Sequence, residues 1–141
     1  MTAKEYLRQA YRLDHRIHSD IEEMERLHDM AGSVSSPSLE ERHNPNRPTE
    51  APFVKCVLRI IELEQKINEE IDRLVALKEQ MRGVIDTVKD KDEQMVLRYR
   101  YIHNMTWEQI GDELRANRTT VYRWHNTALR HVVLPENPIK I

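Results

Sequence analysis

Apolar side chains recur every three or four residues through the first 30 positions of the chain. This spacing predicts one amphipathic helix with a single buried stripe. Thr2 and Glu5 form a capping-box pair at its start, and Gly32 is expected to end it. The stripe consists of Leu7, Ala10, Ile17, Ile21, Met24 and Leu27.

The pattern is lost between residues 32 and 52, where serine and proline are frequent. Prolines at positions 37, 45, 48 and 52 disfavour a continuous helix, and the segment offers few side chains to bury. It is interpreted as a connector between two helical arms.

Residues 53–89 show a heptad pattern with alternating spacings of three and four. A helix of this length needs a partner along its apolar stripe, either the first helix folded back antiparallel or a second copy of the chain. A four-helix dimer would satisfy both alternatives. Residues 57–88 are therefore predicted to mediate a homodimer, with polar residues at two stripe positions. The stripe is Val57, Ile60, Glu64, Ile67, Ile71, Leu74, Lys78, Met81, Ile85 and Val88.

The segment from residue 90 to 134 predicts a helix followed by a helix-turn-helix. Asp90 is an expected N-cap, with Glu93 at the third helical position. Thr106 with Gln109 predicts a second capping box, and Asn117 an N-cap after a three-residue turn. The expected helix-turn-helix core comprises Ile110, Gly111, Leu114, Val121 and Trp124.

This packing leaves a polar, cationic face on the last helix, residues 118–130. Arginine can bind guanine with two hydrogen bonds, asparagine can bind adenine, and threonine or tyrosine can reach a base edge or a phosphate. The alternative is a helical hairpin with a solvated arginine-rich face. The predicted DNA-binding residues are Arg118, Thr119, Thr120, Tyr122, Arg123, Asn126 and Arg130.

Overall charge does not indicate a nucleic-acid partner, but its distribution does. The 141 residues carry a formal net charge of −2. Between positions 114 and 134, however, the chain has four arginines, two histidines and no acid. A basic terminal segment on an acidic stalk is compatible with DNA binding, because local charge is what meets the phosphates.

Composition also limits the class of protein. The 33% content of charged residues, with few aromatics, favours helices over a sheet-built core. No apolar run has the length of a membrane span, and the N-terminal residues lack a signal-peptide core. A single cysteine, Cys56, excludes an intramolecular disulfide. The expected location is the cytoplasm.

No pattern in the chain predicts an enzyme. His15 and His18 share a helix face, but two ligands without a third make a poor metal site. Cys56 is expected to be a small core residue, and His125 a phosphate-side or packing residue. We predict no catalytic residues, no metal and no cofactor.

Three segments resemble the C-terminal promoter-recognition region of bacterial sigma factors, known as region 4. They are MVLRYRY at residues 95–101, TWEQIGDEL at 106–114 and RTTVYR at 118–123. The resemblance covers about 40 residues without gaps. It implies a recognition helix that binds an upstream promoter element, with RNA polymerase as a further partner.

The whole chain resembles small proteins of phages and prophages of Gram-positive bacteria that have a sigma-region-4-like C-terminus. The similarity includes the opening TAKEYL and the segment YRWHNTAL at residues 122–129. This resemblance implies control of phage genes in a bacterial host cell. The chain lacks an aromatic-rich promoter-melting region, which favours an activator or partial sigma factor over a complete one.

The sequence thus predicts an all-α protein: two long coiled-coil-type helices, then a sigma-region-4-like helix-turn-helix that binds double-stranded promoter or operator DNA. Two other functions stay open: a phage DNA-packaging protein like the small terminase subunit, and a coiled-coil module that binds a protein partner without contacting DNA. The predicted segments are 1–31 (first helix), 32–52 (connector), 53–89 (heptad helix), 90–134 (DNA-binding domain) and 135–141 (tail).

Overall fold

The computed structural model describes residues 1–35 and 51–141, and all regular secondary structure in those ranges is helical. This confirms the all-α class. Of the predicted connector, residues 36–50 lie outside the described residues. The helices are α1 (Ala3–Ser35), α2 (Ala51–Asp86), α3 (Lys91–Leu97), a π-helical turn (Arg98–Ile102), α4 (Trp107–Leu114) and α5 (Arg118–His131).

Helix α1 begins as the sequence predicts and ends later. The backbone N–H of Thr2 donates to Glu5 Oε2 at 2.9 Å, and the N–H of Glu5 donates to Thr2 Oγ1 at 3.1 Å. These reciprocal bonds confirm the capping box. The helix continues to Ser35, three residues past Gly32, because Gly32 does not adopt the positive φ that would have ended it.

The described residues form two compact units: residues 1–14 with 73–141, here called the first unit, and residues 15–72, the second unit. Both long helices contribute to each unit. Within the second unit, Glu23 Oε1 lies 3.5 Å from Arg59 Nη2 and Asp20 Oδ2 lies 3.3 Å from Lys66 Nζ. Position 20 of α1 pairs with position 66 of α2 and position 23 with position 59, so the residue numbers rise along one helix as they fall along the other. Of the predicted partners, the first helix folded back antiparallel is thus present within the chain.

The buried face of α2 corrects the predicted heptad register. The series at 60, 67, 74, 81 and 88 faces inward, as predicted. The other predicted series, at 57, 64, 71, 78 and 85, was wrong by one residue for most of its length. Glu64 and Ile71 are exposed, whereas Leu63 and Glu70 are buried. The apolar pattern misplaced this series because the buried positions include the acid Glu70, while the neighbouring exposed positions include Ile71. The observed second series is Cys56, Leu63, Glu70, Leu77 and Val84, joined near the helix end by Ile85.

Glu70 is thus the polar residue in the buried stripe, in place of Glu64 and Lys78. It lies next to Asp20, and both residues are buried, with 5% and 7% of the surface of Glu70 and Asp20 exposed. Burial raises the pKa of Glu70, and Asp20 raises it further, while Lys66 and Arg16 act in the opposite direction. A carboxyl with a raised folded-state pKa stabilises the fold at acid pH and loses that contribution as pH rises through the raised value.

Leucine at position 70 is therefore expected to stabilise the second unit near neutral pH by on the order of 1 kcal/mol, because it removes a poorly compensated buried charge. The gain should shrink as pH falls towards 4.5, the ordinary pKa of glutamate. Urea unfolding at several pH values measures the effect. The matched control is Glu69→Leu on the exposed side of the same helix; an equal gain there would contradict the account.

The core of the first unit joins the start of α1 to the end of α2 and to the C-terminal helices. Tyr6 donates its hydroxyl to Gln80 Oε1 at 2.8 Å, which fixes α1 against α2. The apolar cluster thereby unites parts of the chain that are remote in sequence. Its buried members are Tyr6, Leu7, Ala10, Leu77, Met81, Val84, Ile85, Val88, Leu97, Tyr101, Ile102 and Ala128.

The tail after α5 is irregular, as predicted, and is held by two glutamines. Gln9 Nε2 donates to Ile139 O at 2.8 Å, and Gln9 Oε1 accepts from the Ile141 N–H at 2.8 Å. Gln80 makes the same two-way contact, with Asn137 O at 2.9 Å and the Ile139 N–H at 2.9 Å. Each amide thus satisfies backbone groups that have no helix or strand to pair with.

Candidate nucleic-acid interface

Helix α4 and the turn after it set the orientation of α5. Thr106 caps α4, and Gln109 completes the predicted capping box, with bonds of 3.2 and 2.9 Å. The chain then reverses at Arg115, which adopts the left-handed conformation with φ 50° and ψ 49°. Asn117 caps α5 by accepting from the Thr120 N–H at 2.8 Å. These local signals confirm the boundaries that the sequence predicts for the two helices.

Gly111 makes this tight reversal possible. A Cβ atom at this position would lie 2.8 Å from the carbonyl oxygen of Ala116, which is backbone and cannot rotate away. The N–H of Ala116 donates to Gly111 O at 3.0 Å, which closes the turn. The close approach that excludes a side chain at this position is therefore made by the backbone of the turn.

A small apolar cluster fixes the inner face of α5. Ile110, Val121 and Val96 are fully buried, and Leu114 and Trp124 are partly buried against them. Gly111 is also buried. All five residues predicted for the helix-turn-helix core thus lie at or beside the α4–α5 contact. The neighbouring aromatic and apolar residues are Tyr99, Met105, Ala116 and Trp107.

The opposite face of α5 is exposed and free of acidic residues. Six of the seven predicted DNA-binding residues are exposed there, whereas Thr120 is half-buried near the helix start. Among the described residues, the guanidinium groups of Arg118, Arg123 and Arg130 form no ion pair. The exposed members are Arg118, Thr119, Tyr122, Arg123, Asn126 and Arg130.

The side chain of His131, for which the sequence predicted no partner, holds the end of α5 to α3. His131 Nδ1 donates to Glu93 Oε2 at 2.7 Å, and Glu93 is 6% exposed. Glu93 is therefore a tertiary contact rather than the second half of a capping box. Asp90 alone caps α3, accepting from the N–H groups of Asp92 and Glu93 at 2.9 and 3.1 Å.

The π-helical turn shapes the other contact of α5. The N–H of His103 donates to Arg98 O at 3.1 Å, five residues back, and this wider turn brings both Tyr101 and Ile102 into the core. Tyr101 Oη then lies 2.6 Å from His125 Nε2 in a buried hydrogen bond. A continuous α-helix, which the sequence predicts for this segment, would rotate Ile102 away from the core face.

His125 is a packing residue within the described chain, 3% exposed. Its pKa is lowered from 6.5 to about 4, chiefly by burial; the adjacent Asn126 side chain opposes this shift, and Lys4 and Arg100 add to it. The imidazole is therefore neutral near pH 7. Burial also raises the pKa of Tyr101 to about 12, which keeps the phenol protonated. Nδ1 of His125 has no hydrogen-bond partner of adequate geometry within residues 1–35 and 51–141.

Trp107 lies beside Tyr101 and His125, and its ring makes three contacts. Its ring centroid is 4.7 Å from that of Tyr122 and 4.7 Å from that of His125. The guanidinium carbon of Arg100 lies 4.3 Å from the ring centroid, in a cation–π contact. Arg100 Nη1 also donates to Met105 O at 3.0 Å. Tyr122, a predicted DNA-binding residue, is thus also part of an aromatic cluster.

The described ranges contain neither a cluster of metal-ligand side chains nor a candidate membrane-spanning helix. Residues 1–35 and 51–141 contain no group of three or more His, Cys, Asp or Glu side chains that could hold a metal ion. No helix in those ranges has the length and apolar character needed to cross a membrane.

The family model described as "Protein of unknown function (DUF1492)" matches residues 34–133. This match spans most of the chain, including α2 to α5. The chain belongs to this family. Curated proteins and solved structures gave no match. Family membership therefore covers the candidate interface, and the function of that interface has to be inferred from its own residues.

Proposed function

We propose that this member of the DUF1492 family is a sequence-specific, double-stranded DNA-binding regulator of transcription. Helix α5 enters the major groove and its exposed face contacts base edges. The observation that supports this most strongly is the division of α5 into a buried face around Val121 and an acid-free exposed face whose three arginines form no ion pair with any other described residue.

The positions of the exposed residues along α5 favour base contacts for some of them and phosphate contacts for others. Arg123 and Asn126 lie mid-helix and match the two commonest bidentate contacts, to guanine and adenine. Arg118 and Thr119 lie in the first turn, which faces bases in recognition helices. Thr120 and Arg130 are better placed for phosphates, near the start and the end of the helix.

The resemblance to sigma-factor region 4 supports a promoter or operator as the target, and phage or prophage genes as those controlled. On this proposal the protein is an activator or partial sigma factor in the bacterial cytoplasm, acting with RNA polymerase rather than as an enzyme. Paired recognition helices would require a homodimer. The apolar side chains that α2 leaves exposed, including Leu58, Ile61 and Val75, supply a surface for one.

The experiment that tests the proposal is binding of the full chain to pooled random duplexes at low salt, where phosphate contacts are strongest. The proposal expects a shifted complex and, after repeated selection, an enriched motif. A two-fold symmetric motif would support the dimer. Absence of any complex at low salt would favour a protein-binding module, and a large ring by mass measurement would favour a packaging protein.

A further inference from the structure

A cavity of about 320 Å³ in the first unit lies where the start of α1 meets the π-helical turn, α4 and α5. Its volume is at the lower end of the range typical of small-ligand sites. Lys4 and Arg8 of α1 line one side, and Tyr122 and His125 of α5 line the other. The cavity therefore joins two parts of the chain that are more than a hundred residues apart.

The cavity is electropositive. Lys4 and Arg8 are one helical turn apart and both are exposed, while Arg100 is fixed over Trp107. These cations act on the buried pair beneath them: Lys4 and Arg100 lower the pKa of His125, and Arg8 and Arg100 oppose the rise in the pKa of Tyr101. Asp14 lies beside the lining, where it accepts from Asn104 Nδ2 at 3.3 Å. Three cations around one small cavity favour an anion.

The walls are aromatic. The rings of Trp107 and Tyr122 are in contact, and Tyr122 is 43% exposed. Tyr11 of α1 adds an exposed ring on the opposite side. Aromatic faces next to cations favour a planar, delocalised group, because stacking tolerates any such ring.

Two buried polar atoms of the lining have no hydrogen-bond partner among the described residues. They are Nδ1 of His125 and Oδ1 of Asn104. Buried polar groups are almost always paired in folded proteins, and the exceptions commonly mark a missing partner. Both atoms belong to residues that line the same cavity, so one polar ring system could satisfy both.

We propose that this cavity binds a nucleotide, with its base beside Tyr122 and its phosphate at Lys4 and Arg8. The nucleotide is either a free mononucleotide or an unstacked residue of a single strand, since both present the same base and phosphate. This site shares Tyr122 and Asn126 with the exposed α5 face that is proposed to contact duplex DNA, whereas its phosphate side, Lys4 and Arg8, belongs to α1. Lys4 and Arg8 precede residue 34, where the family match begins.

The test is calorimetric titration of the full chain with the four deoxynucleoside 5′-monophosphates, the matching nucleosides, inorganic phosphate and a short single-stranded oligonucleotide. Nucleotide binding is expected to exceed nucleoside or phosphate binding by about tenfold or more, because each fragment lacks half of the contacts. Saturable mononucleotide binding identifies the free ligand. Saturation by the oligonucleotide alone identifies a single strand.

Arg8→Ala should weaken binding about tenfold or more, and Tyr122→Leu should weaken it as well, because they remove the phosphate and base contacts. The matched control is Arg12→Ala, which removes the same charge one turn further along the exposed side of α1. Melting curves check that the variants fold. Lys4→Ala provides a second phosphate-side variant if Arg8→Ala melts early.

Four results would overturn the proposal. The first is no saturable binding of any nucleotide or strand at millimolar concentration. The second is an equal effect of Arg8→Ala and Arg12→Ala. The third is phosphate binding as tight as that of the nucleotide. The fourth is a requirement for Arg8 in duplex binding only, which would make it a phosphate contact of the DNA interface.

Discussion

Alanine at Arg123 is expected to weaken binding to the preferred duplex by about 1–3 kcal/mol and to relax base preference at one position of the site. The side chain is exposed on the acid-free face of α5 and pairs with no acid among the described residues. The substitution removes no ion pair of the described part of the chain, so the stability of the fold should not change. Affinities for matched and scrambled duplexes, measured at one salt concentration, give the result.

Two other arginines serve as controls for Arg123. Arg130→Ala, near the end of α5, should weaken binding to all duplexes uniformly, because phosphate contacts carry no sequence information. Arg82→Ala removes an exposed charge from α2 and should leave affinity unchanged. An equal loss on matched and scrambled sites would make Arg123 a phosphate contact. A loss for Arg82→Ala as large as that for Arg123→Ala would reject α5 as the interface.

The second large expected effect is a decrease in the free energy of unfolding as pH drops from about 6.5 to 4, caused by the buried His125. His125 has a folded-state pKa of about 4 against an ordinary value of 6.5. The unfolded chain therefore binds a proton in this window that the folded chain excludes, and stability declines as pH falls through it. The shift corresponds to a loss of up to about 3 kcal/mol.

Urea unfolding at intervals between pH 7 and pH 4 measures this dependence. His125→Gln should flatten the slope, although it also weakens the contact with Tyr101. His103→Gln alters an exposed imidazole nearby and should leave the slope unchanged. Glu70 contributes with the opposite sign, since its raised pKa favours the folded state at acid pH. An unchanged slope in the His125 variant would contradict the assignment of the buried neutral histidine.

The predictions made from local chemistry agree best with the structure. The caps at Thr2, Thr106 and Asn117 are each encoded within four residues, because a side-chain oxygen has to reach a nearby backbone N–H. The inward positions of Ile110 and Val121 follow from helical spacing around a short turn. These signals do not depend on the rest of the chain.

The errors come from features that local pattern does not determine. A stripe containing buried Glu70 and a neighbouring exposed Ile71 misleads any count of apolar residues, since the partner helix decides which face is covered. The π-helical turn adds one residue without a composition signal. Contacts such as Glu93 with His131, and the cavity beside Lys4 and Arg8, depend on chain segments that meet only in the fold.

The salt dependence of duplex binding tests the central claim most directly. With about three phosphates neutralised by the three arginines of α5, the logarithm of the binding constant should fall with the logarithm of salt concentration at a slope of roughly −2 to −3. Arg130→Ala should reduce the slope by about one. Absence of binding at the lowest salt, or a complex unaffected by salt, would contradict a DNA-binding role for this helix.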